Sequence, residues 1–299
     1  MLGAMPSSSS PRPDWWSALA CPRCRSPLSD EGVELRCRGC ATAFDCARGV
    51  PFLVDASSRD RGHLATADGK VMVSGYRRPS RLVAALRSVI SSEFSPGRQW
   101  RDTRAAVLAA PGPVLVLGSG CSQEAGAIHL DLDDFPGVAV VGDAHHLPFG
   151  DGTLGGVVAD VVGEHLFDAA GAIAEVHRVL RPGGAFWFSV PFLFPWHGHP
   201  ADYRRWSCQG LAAEFSAFTD VTTGVRSGPC SALVNVLTEF AWVATGCRFP
   251  RGYTLVKGLA TALLFPLKFG DLLLRHAPEA HRLAATLFVC GRKPAAGSA

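Results

Sequence analysis

Five short apolar runs separated by longer segments constrain this chain more than any other feature: VLVLG at 114–118, AIHLDL at 127–132, VAVVGD at 138–143, GGVVADVV at 155–162 and AFWFSVP at 185–191. Such runs are apolar on both faces, the pattern of strands covered on both sides in a parallel sheet. Between the fourth and fifth, Ala170, Ile173, Val176, Val179 and Leu180 share one helical face that stops at Arg181-Pro182-Gly183-Gly184. The fold class expected is α/β, with alternating strands and helices.

A chain of 299 residues suits one large α/β domain and a small module. Residues 1–13 read as a disordered tail, 14–55 as a cysteine module, 56–110 as a linker with packing helices from Ser80 onward, and 111–299 as the main domain. Residues 1–110 hold 16 basic and 10 acidic groups, and the remainder 13 and 16. This weak asymmetry, without dense basic clusters, argues against a DNA partner and leaves RNA as a secondary reading. The stretch MLGAMPSSSSPRPD has no apolar signal core, and four of the ten cysteines fall in C-x-x-C pairs, so a reducing cytoplasm is expected.

Those pairs are Cys21-Pro-Arg-Cys24 and Cys37-Arg-Gly-Cys40, 12 residues apart, enough for a hairpin that returns the second pair to the first. Four thiolates so spaced suit a closed structural Zn2+ site, and a segment this short needs such a staple. LACPRCRSPL, followed by LRCRGCATAFDCARGVPFLV, resembles the zinc ribbon of small methyltransferase-activator proteins and of certain bacterial methyltransferases. Similar ribbons stand at the front of rRNA guanine methyltransferases.

The first run ends in Gly118-Ser119-Gly120, a turn that lets backbone approach a ligand closely, and Gln123 stands where a dinucleotide fingerprint has its third glycine. Asp131 closes the second run, where a carboxylate can accept from ribose hydroxyls, and Asp143 closes the third. VLVLGSG, HLDL, VVGDAHHLPF, GEHL and EVHRVLRPGGAFWFSVPF, in this order, resemble a class I S-adenosylmethionine-dependent methyltransferase over most of residues 111–225. The resemblance implies a Rossmann-like sheet in which Gly118, Ser119 and Gly120 line the methionine and ribose, and Asp131 holds the ribose. It also places Asp143 and Ala144 at adenine, and Asp160 to His165 beside the sulfonium. Gly155 stands where that family often carries aspartate.

After the fifth run comes PFLFPWHGHPADYRRW, similar to a PF-x-x-x-x-H-x-x-P-x-D-Y-x-R block in a subgroup of these enzymes. His197 is the candidate general base, with Asp202 as orienter and His165 as a second active-site histidine. Trp196, His199, Tyr203 and Arg204 are candidate substrate contacts, with a surface loop as the plain structural alternative.

Residues 231–276 form an apolar helical insertion broken by Lys257, Pro266, Lys268 and Asp271, too interrupted for a span. It reads as a lid over an apolar substrate, a membrane-surface contact or a homodimer face. The expected function is methyl transfer to oxygen or nitrogen of a small-molecule or lipid-like acceptor. Alternatives are an rRNA or tRNA methyltransferase gripping RNA through the ribbon, and a non-catalytic cofactor-binding partner subunit. The expected location is cytoplasmic, with a peripheral membrane position open.

Overall fold

The computed structural model describes residues 12–46, 49–54, 89–198, 201–246 and 252–297. His199, most of the 1–13 tail, and the segment 55–88 with the expected helix at Ser80 lie outside the described residues.

The main sheet collects β4 (Phe52–Leu53), β5 (Val114–Leu117), β6 (Ile128–Asp131), β7 (Val140–Gly142), β8 (Leu154–Asp160), β9 (Leu180–Pro191), β10 (Thr219–Ser227) and β11 (Thr286–Arg292). Its order is β10-β11-β9-β8-β5-β6-β7-β4. Strands from β4 to β9 pair in parallel, whereas β11 runs antiparallel between β9 and β10. This is the Rossmann-like methyltransferase sheet. All five apolar runs contribute strands, and β5 is buried along its whole length, as the unbroken Val-Leu-Val-Leu demands.

Strand order reverses at β5, whose neighbours are β6 and β8, and this opens a crevice at the C-terminal ends of these strands. Helix α1 (Gln99–Leu108) packs on β8 and β9, and α2 (Ala169–Val179) buries Ile173, Val176 and Val179. The Asp168 side chain caps α2 by accepting from Gly171 N at 3.0 Å. Gly155 has its own reason: a Cβ there would lie 2.0 Å from the Pro111 carbonyl oxygen, so no aspartate fits. Further elements are α3 (Cys208–Glu214), α4 (Pro229–Ala244), α5 (Tyr253–Leu264) and the short turn α6 (Asp271–Leu274).

The N-terminal cysteine module is a three-stranded antiparallel sheet of β1 (Leu28–Asp30), β2 (Glu34–Cys37) and β3 (Ala43–Asp45). It is stitched to the large domain rather than tethered to it. Phe52 and Leu53 of β4 register with Val141 and Gly142 of β7, covering the edge of the main sheet. Ala20 N donates to Pro148 O at 3.0 Å and Gly150 N to Ala18 O at 2.9 Å. Leu19, Leu35 and Leu53 share one buried cluster with Phe149 and Leu130. An arginine from each side meets Glu175: Arg25 at 3.2 Å and Arg178 at 2.7 Å.

Candidate active site

Two glycines of the turn after β5 adopt left-handed backbone, Gly118 with φ +61° and Gly120 with φ +51°. Asp131, at the end of the neighbouring β6, accepts from Gly120 N at 2.7 Å and from Asp133 N at 3.3 Å. Burial pushes the Asp131 carboxyl up, and these N–H groups only partly offset it. Space is left above the turn: a Cβ on Gly120 would meet nothing within 4 Å. Beside it, Ser119 Oγ is buried without a hydrogen-bond partner. A concave turn with an orphaned hydroxyl fits an uncharged polar part of a ligand.

Asp143 is buried at the end of β7 and accepts from His145 N at 2.9 Å and from His145 Nδ1 at 2.7 Å. His145 Nε2 in turn accepts from Asp168 N at 3.3 Å, so Nδ1 carries the proton. Ala144 follows in the same buried 3-10 turn.

At the end of β8, Asp160 accepts from Ser189 Oγ and meets Arg226 Nη2 at 3.0 Å. Val161 then takes φ +58°, a costly conformation for a β-branched residue, held by hydrogen bonds from its N–H to Ser189 O and Oγ at 3.1 Å. The kink throws Val162 against the glycine turn, where a Cβ on Gly118 would lie 2.6 Å from Val162 Cγ2. The 3-10 turn Gly163–His165 follows at once.

Glu164 in that turn has no solvent exposure and gathers two histidines. Its Oε1 is 3.1 Å from His197 Nε2 and 3.6 Å from His165 Nε2, while Oε2 has no hydrogen-bond partner. The rings of His165 and His197 meet edge to face at 5.1 Å. His165 Nδ1 donates to Ala201 O, and Tyr203 N donates to Glu164 O at 2.8 Å. The Glu164 hydrogen bond raises the His197 imidazole above its ordinary range against the opposing effect of burial.

Asp202 serves a different group from the one its spacing suggests. It accepts from the His197 backbone N–H at 3.0 Å and is clasped by Arg205, whereas His197 Nδ1 lies 3.5 Å away. Burial pushes the Asp202 carboxyl up, but Arg205 and the His197 N–H outweigh it and hold it low. Arg205 is the arginine of the D-Y-x-R pattern; Arg204 occupies the unspecified position, donates to Phe167 O, and lies over the Trp206 ring at 5.7 Å. Trp196 and Tyr203 are exposed, and Tyr203 packs edge-on against exposed Phe167 at 5.7 Å.

The four cysteines Cys21, Cys24, Cys37 and Cys40 of the N-terminal module also converge. Their sulfurs lie within 4.8 Å of one another, with Cys24 to Cys37 at 3.3 Å and Cys21 to Cys40 at 3.7 Å. Each knuckle ends on a left-handed residue, Arg25 with φ +63° and Ala41 with φ +57°. Gly39 N and Cys40 N point at Cys37 Sγ from 3.3 and 3.4 Å, as donors to a thiolate would.

Residues 119–188 match the methyltransferase domain family. The match runs from Ser119 in the glycine turn to β9 and so takes in Gly120, Asp131, Asp143 and Glu164. That segment is an enzyme domain. A protein of Mycolicibacterium smegmatis named "Probable S-adenosylmethionine-dependent methyltransferase" is 36% identical over 25% of this chain and 37% of its own length. An "Uncharacterized 37.1 kDa protein" of a Streptomyces fradiae transposon is 38% identical over 29% of this chain and 25% of its own. The chain thus spans well under half the length of the curated relatives it matches. Among solved structures, phosphoethanolamine N-methyltransferase 2 of Haemonchus contortus with S-adenosylmethionine shows 15% identity over 71% of this chain and 56% of its own, at a TM-score of 0.42.

A cleft of about 730 Å³ lies beyond the cradle, walled by residues 96–99, by β10 and by residues 274–278. It touches the site through Arg226, whose guanidinium reaches Asp160.

Proposed function

We propose that this chain transfers the methyl group of S-adenosylmethionine to oxygen or nitrogen of a small-molecule or lipid-like acceptor. The observation that carries the reading is the close approach of Gly118 to Val162, which joins the cofactor cradle to the Glu164 cluster two residues on. Gly118, Ser119 and Gly120 would hold the methionine and ribose, with Asp131 shaping the turn and facing the ribose, and Asp143 with Ala144 at adenine. S-adenosylmethionine supplies an electrophilic methyl on a sulfonium.

The chain's own residues must position the acceptor and take its proton. His165 suits the second role, since Nδ1–H is committed to Ala201 O, which leaves the lone pair on Nε2, and Glu164 Oε1 at 3.6 Å stabilises the imidazolium formed there. His197 sits between Glu164, Pro195 O and Asp202, acceptors that favour its charged form, so it acts as a clamp that ties residues 195–197 and 202 to the turn after β8. Tyr203 and Trp196, exposed on the same segment, would meet the acceptor. A lipid-like acceptor is supported by the apolar side chains that α4 and α5 expose, Leu233, Phe240, Leu255 and Leu259 among them, whereas the cleft beside Arg226 is lined largely by polar and charged groups such as Arg98, Gln99, Asp271 and His276.

In the ribbon the donor set suits Zn2+. Zinc–sulfur bonds of about 2.3 Å in a tetrahedron require sulfurs about 3.8 Å apart, and the observed pairs stand at 3.3 and 3.7 Å.

Calorimetric titration of S-adenosylmethionine, with Asp131→Ala alongside, tests the cofactor assignment. Saturable binding weakened by that substitution supports it, and absence of binding to folded protein removes it. Transfer of labelled methyl from the cofactor to extract fractions then separates organic-soluble acceptors from RNA.

A further inference from the structure

The helices after β10 turn most of their large apolar side chains outward. On α4 the side turned to the protein carries Ser231, Asn235 and Thr238 beside Ala232 and Val234, while the larger Leu233, Val236, Phe240 and Val243 stand exposed along another face. Helix α5 buries no residue, and Leu255, Leu259 and Leu263 form an exposed stripe at four-residue spacing. The next turns repeat the pattern: Lys268 and Asp271 are each 1% exposed, whereas Leu273 is 86% exposed. Fourteen of the nineteen exposed large apolar side chains among the described residues lie between Leu233 and Leu283. Water outside a helix selects the opposite arrangement.

Two of the charges that interrupt this segment, Lys268 and Asp271, are withdrawn from its surface. Lys268 Nζ donates to the carbonyls of Val89 and Ser91 at 2.9 and 2.8 Å, and Asp271 accepts from Cys230 N and Ser231 N at 2.8 and 3.0 Å. Glu239, the other acid here, is paired with Lys257 at 2.8 Å. Residues 229–246 and 252–276 therefore expose no unpaired carboxylate, while Arg275 stands exposed at their end. Trp242 and Tyr253, edge to face at 5.4 Å, bring amphipathic rings to the junction of the two helices.

Length excludes a crossing. The 12 residues of α5 reach about 18 Å against about 30 Å of hydrocarbon, and no helix among the described residues is long and apolar enough to cross a membrane. We propose that α4, α5 and the turns through Leu274 lie in the surface of an anionic phospholipid bilayer, with the leucines at the acyl boundary and Arg275 among the headgroups. This inference does not depend on the methyltransferase reading.

The test is cosedimentation of the full chain with phosphatidylcholine vesicles, with and without phosphatidylglycerol. The expected result is sedimentation with the mixed vesicles and weaker binding to phosphatidylcholine alone. The triple variant Leu255→Ser, Leu259→Ser, Leu263→Ser should lose at least about tenfold in vesicle partition with an unchanged circular dichroism spectrum, because none of the three side chains is buried. Wild-type protein that stays in the supernatant, or a triple variant that binds as wild type does, overturns the proposal. A wild-type dimer that binds no vesicles and is dissociated by the triple substitution assigns the surface to a second copy instead.

Discussion

His197 Nε2 lies 3.1 Å from Glu164 Oε1, a carboxylate with no solvent exposure. The contact ties the segment after β9 to the turn after β8, and the same carboxylate oxygen is near His165 Nε2 at 3.6 Å. One buried acid thus orients one histidine and stands ready to stabilise charge on another.

Stability should depend on pH through this pair. His197 is held above its ordinary range by Glu164, so its charged form is favoured in the folded state. Its contribution is complete below the unfolded value of about 6.5 and is lost as pH rises through the raised folded value. Asp202, held low, works in the opposite sense: its contribution is present above about 3.9 and is lost as pH falls through the folded value. Urea midpoints of wild type and His197→Gln at pH 6 and pH 9 test the first claim. The wild-type advantage should shrink at pH 9, and an equal gap at both would break the link.

Turnover should separate the two histidines. His165→Gln removes the proton acceptor and should lower kcat by about 100-fold or more, with S-adenosylmethionine affinity nearly intact. His197→Gln should act mainly through KM for the acceptor, because it loosens the segment that carries Tyr203 and Trp196. The reverse ranking in kcat would return the base role to His197.

Much of this was legible in the residues, for a physical reason. Buried parallel strands leave apolar runs, glycine turns and strand-end aspartates leave fixed letters, and the paired cysteines leave a spacing; each is local. What the sequence hid is pairwise. That Glu164 rather than Asp202 meets the His197 ring, and that Asp160 is occupied by Arg226 and Ser189, depends on which strand ends converge in the sheet. Read from the sequence, Arg204 is the candidate contact although the D-Y-x-R pattern falls on Arg205, and it is the Arg205 guanidinium that clasps Asp202. Which face of α4 turns outward is likewise invisible in a segment with apolar residues on both, Leu233, Val236 and Phe240 exposed and Val234 buried.

The two left-handed glycines of the turn should respond differently to alanine. Gly118→Ala drives a methyl to 2.6 Å from Val162 Cγ2, and with the backbone strain it should cost about 3 kcal/mol in urea unfolding. Gly120→Ala meets nothing within 4 Å and should cost only about 1 kcal/mol. Its methyl occupies the open cradle, so calorimetry should show S-adenosylmethionine affinity lower by about tenfold or more. Full affinity in folded Gly120→Ala would place the cofactor elsewhere.

Metal removal should reach the sheet through β4. The ribbon's last strand is short, and its link to β7 includes Val141 N donating to Pro51 O at 3.0 Å. Zinc on the four cysteines would hold that edge and the N-terminal module as a unit, since Leu35 and Leu53 lie in the same buried cluster as Phe149. Chelation, or Cys37→Ser, should release the ribbon and lower hydrogen-exchange protection at Val141 by about 100-fold, while the interior β5 amides keep theirs. Metal analysis of the same sample should show the loss of bound zinc. Unchanged protection at Val141 after proven metal loss would mean that apolar docking alone holds β4 in place.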